Sequence, residues 1–194
     1  SLLAVSMAVK KLSARIKKIP LYKTFLIKKN FKLPYPLMNV INGGVHANNG
    51  LRIQEFMIRP DKAKSFKEAI RMCFLVINNL KSLIKKRGDS TSVGDEGGFA
   101  PMINDNEDAL KIIEEAVDKS GYTWGEQIFV ALDPATSELV SEARKLGKEG
   151  YCFFSSEPDK IVSSDEMIDL WHDSLIDLHE NWKKNYKRWE KITI

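Results

Sequence analysis

The sequence predicts an α/β fold, because short apolar segments of strand length are separated by longer segments with helical periodicity. Residues 33–41, 53–58 and 128–132 are apolar runs bounded by proline, glycine or aspartate, which is typical of strands. Residues 64–87 carry the clearest helical pattern. With 194 residues, the chain is long enough for one domain with a sizeable core.

The first predicted element is a helix over residues 2–18. Its small and apolar residues come first and its lysines come last, where their charge complements the helix dipole. Pro20 ends this helix, because proline lacks the N–H that a further turn needs.

Two strands are predicted next. Residues 33–41 have prolines at their entry and are followed by the break at Gly43 and Gly44, and residues 53–58 are closed by Pro60. A pair of strands before the first long helix is less regular than simple βα alternation.

The longest predicted helix covers residues 64–87, and Gly88 ends it. Its apolar residues recur at spacings of four and three, which predicts one buried stripe. That stripe consists of Phe66, Ile70, Cys73, Ile77, Leu80 and Ile84.

A second long helix runs through Lys119 and can be capped by either Asn104 or Asn106. Its predicted inward residues are Leu110, Ile113 and Val117, with Gly121 at its end.

The remaining predicted elements are short. Residues 128–132 form a strand that ends at Asp133. Ser163 and Glu166 have the spacing of a capping box, which predicts a helix through Trp171.

The charge is unevenly distributed along the chain. The net charge is +4, yet residues 1–54 hold ten Lys and Arg and no Asp or Glu. Such asymmetry can mark a surface for nucleic acid or anionic lipid, centred here on residues 10–32. No aromatic interleaving or RNA-binding motif accompanies these lysines, so a solvated basic helix and loop is favoured and no nucleic-acid partner is expected.

The two cysteines, Cys73 and Cys152, have no metal-binding spacing. Reduced thiols in a cytoplasmic protein are the simpler interpretation. No apolar run is long enough for a transmembrane segment.

Residues 93–101, VGDEGGFAP, place the adjacent carboxylates Asp95 and Glu96 between glycines. Glycine allows a ligand to approach the backbone closely, and a carboxylate held in such a loop is suited to proton transfer. A hydrated turn is the simpler alternative.

His46 lies in a loop rich in glycine and asparagine, within residues 33–60, LPYPLMNVINGGVHANNGLRIQEFMIRP. It could bind phosphate or assist proton transfer. On spacing alone, an ordinary loop histidine is favoured.

These two segments, together with ALDPATSE at residues 131–138, closely resemble the enolases, which interconvert 2-phosphoglycerate and phosphoenolpyruvate in glycolysis. Residues 1–140 match well and residues 141–173 loosely. Because a complete (β/α)₈ barrel takes about 250 residues, the resemblance implies an incomplete enolase-type β/α barrel. Residues 1–194 would be part of the family's C-terminal barrel domain, without its N-terminal domain or the second half of its barrel.

The resemblance also implies the roles of individual residues. His46, Gln54 and Glu55 would contact the substrate, with Gln54 hydrogen-bonded to one of its oxygens. Glu96 would be the general acid, and Glu55 would join it around the leaving hydroxyl.

Asp133 would be a Mg²⁺ ligand, and the metal would stabilise negative charge on the substrate carboxylate. Without the resemblance, an aspartate at a strand end is more often a cap or turn residue. Pro134 follows it where the family usually has other residues. The family's second metal-binding glutamate aligns with Ile176, and the catalytic lysine lies in the part of the family's domain outside these residues.

Three functions remain open from the sequence. The first is an enolase-type lyase, impaired or inactive as these 194 residues. The second is a non-catalytic enolase-like chain that binds phosphoglycerate and needs a complementing chain or a homodimer partner. The third is a nucleic-acid or membrane-surface binder acting through residues 10–32.

Overall fold

The computed structural model describes residues 2–25, 32–103, 105–153, 157 and 160–176, with the backbone alone for 171–176. The chain divides into two compact units, Ser1–Pro34 and Tyr35–Ile194. Among the described helices, none combines the length and the apolar character that crossing a bilayer demands.

The first unit contains helix α1, Leu2–Ile16, and a short 3₁₀ helix, Leu21–Thr24. α1 ends two residues earlier than predicted, and the chain then turns at Lys18, whose φ is 52°. The Lys10 ammonium donates a hydrogen bond to the Thr24 carbonyl oxygen at 3.2 Å and lies 5.0 Å from the centre of the Phe25 ring. This lysine of the basic segment therefore has a structural contact within its own unit.

The second unit is built on a three-stranded antiparallel sheet with the strand order β1-β2-β3. These strands are Met38–Asn42, Glu55–Arg59 and Phe129–Asp133. β1 begins later than predicted, since prolines at 34 and 36 cannot donate ladder hydrogen bonds. The irregular early strand pair is confirmed, and the described residues form no closed barrel.

Helices α2, Phe66–Lys86, and α3, Asn106–Lys119, follow the strand pair and pack against each other. The buried face of α2 is rotated from the predicted stripe, because Phe66 and Ile70 are exposed. α2 is apolar over a broad face, so spacing alone does not fix which side the core covers. Its buried residues are Ala69, Met72, Cys73, Val76, Leu80, Leu83 and Ile84.

The predicted cap of α3 is wrong. Asp105 caps the helix, and its Oδ1 accepts a hydrogen bond from the Glu107 N–H at 2.9 Å. Asn106 instead uses its Oδ1 to accept hydrogen bonds from the N–H groups of Arg52 and Ile53, at 3.2 and 3.3 Å. The start of α3 therefore anchors the loop between β1 and β2.

The rest of the described chain contains α4, Thr136–Lys145, a two-stranded antiparallel sheet of β4, Tyr151–Cys152, and β5, Ile161–Val162, and then α5, Ser164–Ile176. The sequence did not predict α4, β4 or β5. The capping box of α5 is confirmed in both directions between Ser163 and Glu166, and the helix continues beyond Trp171.

Replacing Leu110 by Ala should lower the free energy of unfolding by about 2–5 kcal/mol, because Leu110 on α3 is fully buried. The matched change is Leu37→Ala, since Leu37 is 54% exposed; there the expected loss is below about 0.5 kcal/mol. Urea denaturation of both variants measures the difference. Equal losses would contradict the described core.

Candidate active site

The site begins with the register of the sheet. Glu55, the first residue of β2, pairs with Asn42 on β1 and with Asp133 on β3. Residues directly opposite each other on antiparallel strands present their side chains on the same face. Two carboxylates from distant parts of the sequence are therefore neighbours on one row of the sheet.

The loop after β1 carries His46 at the end of a short 3₁₀ helix, Gly44–His46. The Gly43 N–H donates to the Gln54 carbonyl oxygen, and the Gly44 N–H donates to that of Leu51, both at 2.9 Å. A Cβ at Gly43 would overlap the Ile53 carbonyl oxygen, so only glycine fits this closure.

The loop that carries Glu96 docks directly on the His46 loop. The Asp95 N–H donates to the His46 carbonyl oxygen at 3.3 Å, and the Gly94 N–H donates to the Gly98 carbonyl oxygen at 2.8 Å. Gly97 has a φ of 83°, a conformation that favours glycine. The glycines around Asp95 and Glu96 thus serve a tight turn.

Three predicted side chains converge. His46, Glu55 and Glu96 each offer one atom within 4.8 Å of the others, and the His46 Nδ1 lies 3.9 Å from the Glu96 Oε1. His46 is largely buried, and Glu96 is half exposed. The arrangement can hold a proton between carboxyl groups, or a cation.

Burial raises the pKa of Glu55 above its usual value of 4.5, and the charges of Asp133 and Glu96 raise it further. The nearby His46 lowers the pKa of Glu55. Converging negative charges therefore disfavour ionisation at this position.

β3 ends at Asp133, as predicted, and the sheet register adds that Asp133 lies beside Glu55. Asp133 also has a turn role. Its Oδ1 accepts a hydrogen bond from the Ala135 N–H at 3.0 Å, and Ala135 has a left-handed φ of 47° just before α4. A carboxylate retains further lone pairs for a cation after one such bond. Its hard oxygens suit Mg²⁺, and so do those of the neighbouring glutamates.

Gln54 lies outside the group of three converging side chains. It lines a cavity of about 390 Å³ between the His46 loop and the start of α4. This volume is in the range of small-molecule sites. The cavity lining also includes Asn48, Asn49, Pro134, Glu138 and Glu142.

Two contacts that hold the His46 loop were missed from the sequence. The Asn49 Nδ2 donates to the carbonyl oxygens of Asn42 and Pro101, both at 3.0 Å. The Arg52 guanidinium forms an ion pair with Glu142 on α4, 90 residues away. The only sequence signal was the asparagine-rich composition of the loop.

The predicted equivalence of Ile176 with a strand-borne metal ligand receives no support. Residues up to Ile176 are helical, as the end of α5. In the sequence, Trp182, Tyr186 and Trp189 recur at spacings of four and three, which predicts one face of a helix, and these residues lie outside the described part of the chain.

Comparison with known proteins gives two findings. A family profile described as "Enolase, C-terminal TIM barrel domain" matches residues 30–180. The enolase of Pelagibacter ubique (strain HTCC1062) is 61% identical over 168 residues, which is 87% of this chain and 38% of that protein. The chain thus spans well under half the length of this curated relative.

Replacing Glu55 by Gln should stabilise the fold at pH 7 by up to about 0.5 kcal/mol, because it removes a carboxylate that faces two others. Because the pKa of Glu55 is raised in the folded state, its charge destabilises the fold fully at pH values above the folded-state pKa. This destabilisation is absent at pH values below the unfolded-state pKa, which is near 4.5. The gain should therefore vanish near pH 4 in thermal denaturation. Glu126→Gln at an exposed position is the control; an equal gain there would contradict the prediction.

The Arg52–Glu142 ion pair should show a coupling energy of about 0.5–1 kcal/mol, because Arg52 is mostly buried whereas Glu142 is partly exposed. A double-mutant cycle of Arg52→Ala and Glu142→Ala, followed by urea denaturation, measures it. Added salt should weaken the coupling. Strict additivity of the two losses would exclude the pair as an anchor of the loop.

Proposed function

The chain belongs to the enolase family, and from this premise we propose that His46, Glu55 and Glu96 form the part of an enolase site that acts on the leaving hydroxyl of 2-phosphoglycerate. The observation that carries the proposal is the convergence of these three side chains within 4.8 Å. They come from separate stretches of sequence, and the two loops are joined by the Asp95–His46 backbone hydrogen bond.

Glu96 is the general acid in this proposal. Dehydration removes the proton at C2 and expels the hydroxyl at C3, and hydroxide leaves poorly unless it is protonated. Glu96 is the more exposed of the two glutamates, so it is placed to reach a bound ligand. The raised pKa of Glu55 supports a proton being held within this pair of carboxyl groups.

His46 and Gln54 bind the substrate in this proposal. His46 offers ring nitrogens beside Glu96, and Gln54 precedes Glu55 and lines the adjacent cavity. An imidazole and a side-chain amide can both donate hydrogen bonds to phosphate or carboxylate oxygens.

Asp133 is the Mg²⁺ ligand in this proposal. Asp133 is not one of the three residues whose side chains converge within 4.8 Å. Support for its role comes from the sheet register, in which Asp133 lies opposite Glu55 on the same face, and carboxylate oxygens are ligands that Mg²⁺ prefers. The bound ion would supply stabilisation of negative charge on the substrate carboxylate.

We assign the three-stranded sheet to the start of an incomplete enolase-type barrel, with residues 1–194 as part of one barrel domain. The strand, strand, helix, helix, strand order of β1 to β3 supports this assignment.

A cytoplasmic location agrees with the family and with the two buried free thiols.

A second candidate is a non-catalytic chain that binds phosphoglycerate and depends on a complementing chain or a second copy for turnover. The helical residues at 174–176 favour it, because the resemblance predicts a metal-binding strand there.

The test is binding of 2-phosphoglycerate by calorimetry with Mg²⁺, together with formation of phosphoenolpyruvate followed by ultraviolet absorbance. For the catalytic candidate, Glu96→Gln should lower turnover by about 10² or more while binding is retained. For the binding candidate, turnover is absent and His46→Ala should weaken binding by about tenfold or more.

Glu126→Gln is the matched control, since Glu126 is exposed and outside the cluster. Equal turnover in the unchanged chain and in Glu96→Gln would exclude the catalytic role. A folded chain that neither binds nor converts 2-phosphoglycerate would exclude both candidates.

A further inference from the structure

β1 contains a bulge that changes which residues face the site. Asn39 pairs with Met57, but Ile41 pairs with the next residue, Phe56, so that Val40 is the extra residue. In a regular strand, residues 39 and 42 would point to opposite faces. The bulge restores both to the face of Glu55, because it adds one residue to one strand only.

The bulge allows Asn39 and Asn42 to form an amide pair. The Asn39 Nδ2 donates a hydrogen bond to the Asn42 Oδ1 at 2.9 Å. Asn42 is fully buried and shares its row of the sheet with Glu55.

The Asn42 side chain lies against both glycines that frame the Glu96 turn. A Cβ at Gly94 would come within 2.9 Å of the Asn42 Cβ, and a Cβ at Gly98 would overlap the Asn42 Oδ1. The backbone makes the same connection, because the Asn42 N–H donates to the Phe99 carbonyl oxygen at 2.9 Å. The amide is therefore the surface on which the Glu96 turn rests.

Asn42 also reaches the other loop of the site. Its carbonyl oxygen accepts a hydrogen bond from the Asn49 Nδ2, and Asn49 holds the His46 loop. A single buried residue thus contacts the elements that carry both His46 and Glu96.

The Asn39–Asn42 amide pair contributes little to the free energy of folding. Within the described part of the chain, the Asn42 Nδ2 and the Asn39 Oδ1 are buried without a hydrogen-bond partner. Unpartnered buried polar atoms cost folding free energy, which offsets the gain from the Asn39–Asn42 hydrogen bond, whereas the contacts of Asn42 with Gly94 and Gly98 are geometric.

We propose that Asn42, held by Asn39, is a positioning residue that sets the separation of His46 and Glu96. This proposal rests on the proposed function only because it takes Glu96 as the general acid. The Asn42 amide fixes the height of the turn above the sheet, and the Asp95 N–H then meets the His46 carbonyl oxygen.

The test is residue-resolved hydrogen exchange of the free protein, with the double variant Asn39→Leu/Asn42→Leu. Leucine has the branching of asparagine without its polar atoms, so the removal of unpartnered polar atoms should offset the cost of its bulkier methyl groups and the melting temperature should change little. Its bulkier methyl groups should displace the turn. Protection of the Gly94 and Asp95 amides should fall by about tenfold, while that of the α2 amides stays unchanged.

A second variant, Asn39→Ala, removes only the donor to Asn42 and decides the matter if the double variant fails to fold. It should give a smaller, equally local loss of protection. The control is Asn78→Leu on the exposed face of α2, which should leave the Gly94 and Asp95 amides unchanged. Unchanged protection in both folded variants, or a loss that only parallels that of α2, would overturn the proposal.

Binding of 2-phosphoglycerate provides a separate readout. The double variant should bind at least about tenfold more weakly than the unchanged chain at equal thermal stability. If the unchanged chain does not bind, the proposed function fails, and the exchange result still decides whether Asn42 positions the turn.

Discussion

The structure depends on one register, the row that pairs Asn42, Glu55 and Asp133 across the three strands. The same register places Phe56 and Ile58 on the buried face of β2. Because side chains alternate along a strand, a slip of one residue would exchange the core and site faces. Burial of the core therefore holds the site carboxylates in place, and folding and site geometry have a common origin.

The site has features that oppose stability. Glu55 faces two other carboxylates, and the described residues leave polar atoms of Asn39, Asn42 and His46 buried without hydrogen-bond partners. Each such atom costs about 1–3 kcal/mol. Local departures from the rules of stable folding are expected where function requires a fixed arrangement of polar groups. Their concentration around one row of the sheet agrees with an active site.

Long-range side-chain contacts fix the two loops. Asn49 joins the His46 loop to β1 and to Pro101, Asn106 holds its far end from the start of α3, and Arg52 ties it to α4. These partners are distant in sequence. Loops held in this way can place functional groups accurately without regular secondary structure. The asparagine side chains therefore hold the site loops together by hydrogen bonds to distant backbone groups, as apolar contacts hold the core together.

The sequence by itself determined the α/β class, the three strands, the two long helices and the segments that carry His46, Glu55, Glu96 and Asp133, because periodicity, glycine and proline act locally. It misplaced the buried face of α2 and the cap of α3, since broad apolar faces and adjacent polar residues leave several local solutions. Only the tertiary structure decided that the carboxylates converge, that Arg52 meets Glu142 and that a bulge at Val40 aligns Asn39 with Asn42. Those features depend on strand register and on contacts between distant residues, which no local pattern encodes.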